Sequence, residues 1–179
     1  MMDIARIQKV SHHKVAYWME KYAIARRSWS EATYIKKHPY GDPFQFSPPK
    51  DTETLKLLGM GLGLYWGEGT KANTTSVRLG NTDPELIKTF IEFLTRIFNI
   101  KKVDLRFGLQ IFTDISPKVA LKYWMNELQA EKKQFYKTII TKSGSLGTYR
   151  NKNQYGVLTV YYLNKKLRDL LIKMLSKSP

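Results

Sequence analysis

Residues 54–69 are apolar and almost uncharged, inside a chain of 179 residues whose formal net charge is +15. Five glycines (Gly59, Gly61, Gly63, Gly67 and Gly69) are spread among Leu55, Leu57, Leu58, Met60, Leu62, Leu64, Tyr65 and Trp66. That much apolar surface argues against a loop. A bilayer span needs roughly 20 apolar residues, more than this stretch holds before Glu68. Gly59, Gly63 and Gly67 stand four apart, so they share one face of a helix. Each costs about 1 kcal/mol against alanine in a helix interior. Close approach of a second helix offsets such a cost. The stretch therefore predicts a helix that packs on a partner helix, with Gly59, Gly63 and Gly67 at the contact.

Gly69 marks the helix end and puts Glu68 in the last turn. The helix dipole is negative there and disfavours a carboxylate by about 0.3–1 kcal/mol. A carboxylate so placed calls for a compensating cation. Two such helices packed through their glycine faces bring both glutamates near one point, where they can share divalent metals.

The run Gly61-Leu62-Gly63-Leu64-Tyr65-Trp66-Gly67-Glu68-Gly69-Thr70 resembles the signature helix of the LAGLIDADG homing endonucleases, in the variant ending Gly-Glu-Gly-Thr. Gly63, Leu64, Gly67, Glu68 and Gly69 fall on matching positions, while Trp66 fills the first acidic position and Gly61 the leading leucine. The resemblance implies that Glu68 binds catalytic Mg²⁺, with the main-chain carbonyl of Gly67 completing the metal shell. It also implies a basic side chain assisting near the metal. Lys165 is nearest the family position, with Lys142 and Lys137 as alternatives. A single motif copy implies a homodimer.

The charge distribution agrees with a polyanionic partner. Residues 1–50 carry 9 basic and 4 acidic side chains, residues 51–100 carry 5 and 6, and residues 101–179 carry 16 and 5. Two basic regions flank a near-neutral centre, and phosphate neutralisation dominates nucleic-acid affinity. A lysine-rich thermophile surface normally brings matching glutamate. An acidic membrane surface fits less well, because no exposed amphipathic basic helix stands out. The absence of cysteine suits a reducing compartment. With no signal peptide and no long apolar run, the expectation is a cytoplasmic protein with no membrane partner.

Ahead of the central helix, residues 2–9 and 11–22 predict two short helices, the second opened by Ser11. They resemble the last two helices of a helix-turn-helix, with residues 29–36 able to supply a third. His12, His13, Lys14, Tyr17 and Lys21 then face DNA. The same layout suits a plain helical hairpin. Pro39, Pro43, Pro48 and Pro49 exclude a regular element from residues 38–53, which read as a linker between segment 1–37 and domain 54–179.

Beyond the central helix, residues 76–80 alternate as a strand, and Asn81-Thr82-Asp83-Pro84-Glu85 starts a helix running to about residue 98. Residues 103–112 predict a strand with Val103, Leu105, Phe107, Leu109 and Ile111 on one face and Arg106 and Gln110 on the other, where they suit a DNA-facing sheet. A helix over 117–129, strands over 135–141 and 156–162 and a helix over 164–175 complete the chain. Lys71, Arg78, Lys137, Lys142, Arg150 and Lys152 are further candidate DNA contacts, the last three in a stretch without acidic residues that suits a loop ordering on nucleic acid. The fold class expected is α+β: a LAGLIDADG-like αββαββα saddle with an inserted helix, preceded by a small helical segment.

The resemblance implies a homodimeric, Mg²⁺-dependent endonuclease that cuts both strands of a specific DNA sequence. The alternatives on the same scaffold are a non-cleaving transcription regulator and an RNA-binding, splicing-assisting protein.

Overall fold

The computed structural model describes residues 2–143 and 154–176. The chain forms two compact units, residues 1–43 and 44–179.

The first unit holds α1 (Met2–Ile7), α2 (His12–Lys21) and α3 (Trp29–Lys37). The Ser11 hydroxyl accepts from the Lys14 N–H and caps α2, and Ser28 caps α3 through Glu31. Both are short side-chain acceptors that satisfy orphan N–H groups at a helix start. Ala5 and Val15 are the buried residues of α1 and α2, and α3 buries none. An apolar cleft of about 360 Å³ lies between α1 and α2, lined in part by Ile4, Val15, Trp18 and Ile24.

The second unit is mixed α+β. It contains α4 (Thr52–Glu68), β1 (Val77–Asn81), α5 (Pro84–Phe98), β2 (Arg106–Phe112), α6 (Pro117–Leu128), β3 (Ile139–Thr141), β4 (Val157–Tyr162) and α7 (Lys165–Ser176). The four strands make one sheet in the order β1-β4-β2-β3. β4 runs antiparallel to both β1 and β2, and β3 runs parallel to β2.

Alternation along the strands sends one set of side chains into the core: Val77 and Leu79, Phe107, Leu109 and Ile111, and Leu158 and Val160 are all essentially fully buried. Helix α5 packs over β1 and β4, α6 over β2, and α7 over β1. Helix α5 starts where its sequence says it should, with the Asp83 carboxylate accepting from the Glu85 and Leu86 N–H groups and Pro84 following. Its core face is aromatic: the rings of Phe90, Phe93 and Phe98 lie 5.3–5.8 Å from their neighbours.

Three expectations change. Residues 102–104 form a 3₁₀ turn, so Val103 is not on the core face of β2 but 58% exposed. The strand expected over 135–141 is confined to 139–141, because residues 132–134 form another 3₁₀ turn. Gln134 holds that turn: its amide is buried, donating to the Lys102 carbonyl at 2.9 Å and accepting from the Glu131 N–H at 3.1 Å. The expected linker also does not run free to residue 53. Gln45 and Ser47 donate their N–H groups to the carbonyls of Phe98 and Ile97, and Phe46 packs on Phe98, so residues 44–47 belong to the second unit.

Candidate nucleic-acid interface

Helix α4 opens with a reciprocal cap. The Asp51 carboxylate accepts from the Thr54 N–H at 2.8 Å, and the Thr54 hydroxyl accepts from the Asp51 N–H at 3.4 Å. The Thr54 N–H and then its hydroxyl hold the Asp51 carboxyl below the usual carboxylate range.

Leu57, Gly61 and Tyr65 form the buried side of α4. The close contact with a neighbouring helix is made at Gly61, not at the expected glycine stripe. A Cβ at residue 61 would stand 2.1 Å from Cγ of the buried Phe93 of α5. Gly59, Gly63 and Gly67 lie on the other side, exposed, with nothing within 4 Å of a would-be Cβ. Leu55, Met60 and Trp66 are also exposed, at 60%, 45% and 70%. Helix α4 thus carries an uncovered, nearly featureless apolar face.

Glu68 is the last residue of α4. The chain leaves α4 by pairing Gly69 with Leu79 of β1, and the Thr70 N–H donates to the Arg78 carbonyl at 3.0 Å. The Lys71 ammonium turns back to the Trp66 carbonyl, an acceptor that the end of the helix leaves open. Arg168 of α7 donates to the Lys71 carbonyl at 2.6 Å and ties α7 to this turn. The Glu68 carboxylate is exposed, and among the described residues no cation pairs with it. Among the described residues none supplies the compensating cation expected at Glu68; Lys71 goes to a carbonyl instead.

Lys165 stands in the first turn of α7, 2.6 Å from Asp169, which Arg168 also contacts at 3.0 Å. Partial burial raises the Asp169 carboxyl, but the bonds from Lys165 and Arg168 outweigh it and leave the group below its ordinary value. Beside this cluster the fully buried Tyr65 carries a hydroxyl with no hydrogen-bond partner among the described residues, and burial pushes that phenol up. Arg168 was not anticipated. Its contact spans 97 residues of sequence, and no local pattern announces it.

The donor set at the end of α4 fits a hard divalent cation in type: a free carboxylate with main-chain carbonyls, all oxygen. It does not fit in number within one chain. Among the described residues, no three His, Cys, Asp or Glu side chains come together.

The sheet face opposite the core is the second component. Strand register places Arg78, Tyr161 and Arg106 in one row across β1, β4 and β2, and Gly80, Thr159 and Gly108 in the next. The Arg78 guanidinium lies 5.2 Å from the Tyr161 ring centroid, and Tyr136 meets that ring edge-on at 5.5 Å. Arg106 is committed elsewhere: its Nη1 donates to the carbonyls of Val103 and Leu105 at 2.8 and 2.9 Å, closing the 3₁₀ turn before β2. Gln110 is exposed on the same face and donates to the Thr141 hydroxyl at 3.1 Å.

Lys71, Lys137 and Lys142 are exposed. Arg150 and Lys152, and most of the loop they belong to, lie outside the described residues. In the first unit, His12, His13, Lys14, Tyr17 and Lys21 are all exposed on α2. The two imidazole centroids lie 3.9 Å apart with the rings tilted by 38°, and Lys21 lies 4.9 Å over the Trp18 ring.

No protein-family profile matches the chain, and neither does any curated protein or solved structure. Among the described residues no helix is long and apolar enough to cross a membrane.

Proposed function

We propose that this chain is a sequence-specific DNA-binding protein that works as a homodimer, joined α4 to α4, and cuts both strands with Mg²⁺ held between the two copies. The observation that carries this reading is the open glycine face of α4 on a helix whose last residue is the exposed Glu68, unpaired among the described residues. A monomer gains nothing from three exposed helical glycines that each cost about 1 kcal/mol. In a symmetric dimer the same patch meets itself, and the two Glu68 side chains converge. This is the dimer that the LAGLIDADG resemblance implies, with the open sheet face turned to DNA. Glu68 and the Gly67 carbonyl of each copy would hold the metal, which supplies an activated water and stabilises the leaving oxygen. Lys71 is the basic group that reaches the last turn of α4, while Lys165 is drawn off by Asp169.

A second reading, a regulator that binds without cutting, is favoured by Trp66. It is exposed at the motif's first acidic position, so each copy brings one carboxylate where the full motif brings two. Incubation of a randomised duplex library with wild-type protein and Glu68→Gln, in Mg²⁺ and in EDTA, decides between them. Cutting that needs both Mg²⁺ and Glu68 is expected. Sequence-selective binding by both proteins without cutting establishes the regulator. Preference for structured RNA over every duplex overturns both.

A further inference from the structure

We propose that Arg78 is a specificity-determining residue that reads a guanine in the major groove. This rests on the DNA-binding reading above and goes beyond it by naming the base and the group that selects it.

Arg78 stands on the open face of β1 with its guanidinium fixed on two sides. Its Nε donates to the Ser76 hydroxyl at 2.8 Å, and that hydroxyl donates to the Asn73 side-chain oxygen at 2.9 Å. The same Asn73 oxygen accepts from the N–H groups of Thr75 and Ser76 at 3.0 and 2.9 Å, so the acceptor is held by the backbone. Ser76 itself is fully buried. The Arg78 Cζ lies over the Tyr161 ring, 5.2 Å from the centroid, and Tyr136 meets that ring edge-on. Tyr161 in turn leans over Gly108, where a Cβ would stand 2.9 Å from its Cε2.

These contacts use the Nε–H and the ring side of the guanidinium and leave its terminal nitrogens without partners among the described residues. A planar fork held this way presents parallel N–H donors, the geometry that matches O6 and N7 of guanine. In the adjacent row the Thr159 hydroxyl and the Tyr161 ring lie over Gly80 and Gly108, which lets the ring lie down beside Arg78. The neighbouring Arg106 cannot serve equally, because its guanidinium closes a turn. A flexible lysine would suffice for a phosphate, so the fixed orientation marks Arg78 for a base.

The test is selection of bound sequences from a randomised duplex library by wild-type protein, Arg78→Lys and Arg78→Ala. It is followed by titration of the selected duplex and of its single-position variants. The lysine variant keeps the charge, and thermal melts of all three proteins report folding. Wild type is expected to require guanine at one position of each half-site by about 5- to 150-fold over other bases. Arg78→Ala should lose that preference, and Arg78→Lys, which keeps the charge but not the planar fork, should weaken it while its affinity for substituted sites stays within a few-fold of wild type. A guanine preference that survives Arg78→Ala overturns the proposal, as does a uniform fall in affinity with no change in base preference, which marks a phosphate contact. Either result leaves the DNA-binding reading standing. Failure of wild type to select any duplex sequence removes that reading and this proposal together.

Discussion

Gly61 and Gly63 are two residues apart in α4, and alanine should act in opposite directions at the two positions. At Gly61 a methyl would stand 2.1, 2.2 and 2.7 Å from Cγ, Cδ2 and Cβ of Phe93. Phe93 is fully buried and abuts Phe90 and Phe98, so it has little room to yield. Overpacking of a dense core costs about 1–3 kcal/mol, and contact with the ring root puts this site near the top of that range. The gain in helix propensity returns about 1 kcal/mol, leaving Gly61→Ala destabilised by about 2 kcal/mol. At Gly63 nothing lies within 4 Å, so only the propensity term acts within one chain, and Gly63→Ala should stabilise the monomer by about 1 kcal/mol. In a dimer joined through this face the same methyl, present twice, separates the helices. The dimer dissociation constant should rise about tenfold or more, from an overpacking term of at least about 1.4 kcal/mol. Urea denaturation of the dilute protein measures the first effect, and sedimentation across a concentration series measures the second. Gly63→Ala that gains stability and dimerises as tightly as wild type refutes the interface; Gly61→Ala that is neutral refutes the α4–α5 packing argument.

DNA affinity should fall steeply with salt, and Lys71→Ala should lower the slope of log K against log salt by about 1 if Lys71 meets a phosphate, as read by anisotropy titrations. Trp124→Ala should cost about 3–5 kcal/mol in chemical denaturation, because the indole is fully buried and its N–H donates to the Tyr155 carbonyl at 2.9 Å. Asp169 has a folded value below its ordinary 3.8, so its contribution is complete above that pH and is lost as pH falls through the lower folded value. Asp169→Asn should therefore reduce the difference in melting temperature between pH 6 and pH 3.

Much of the fold was legible because the chain punctuates its elements locally. Asp83 and Pro84 announce α5, and Ser11 announces α2. Alternation placed Leu105, Phe107, Leu109 and Ile111 in the core. What could not be read was set by partners distant in sequence. Residues 135–141 carry a strand-like composition, but the turn held by Gln134 brings only Phe135 to Phe107 as a single bridge, and regular pairing starts at Ile139. The glycines of α4 were legible as a packing device, yet their division was not: Gly61 faces Phe93, while Gly59, Gly63 and Gly67 stay open. At the candidate site, Glu68 and Arg78 were recognisable as residue types in place. The commitment of Arg106 to the Val103 and Leu105 carbonyls, the retreat of Lys165 to Asp169 and the arrival of Arg168 at the Lys71 carbonyl are three-dimensional facts.

The central claim is that two copies of α4 bring two Glu68 carboxylates to one cutting site. Wild type and Glu68→Gln, mixed in equal amounts and allowed to exchange partners, test it in a single rate measurement on the selected duplex with Mg²⁺. Random pairing leaves two intact glutamates in about a quarter of symmetric dimers, so double-strand cleavage should fall to about a quarter of that of wild type at the same total concentration. A rate of about half, which is what chains acting singly give, or no cleavage by wild type alone, contradicts the account.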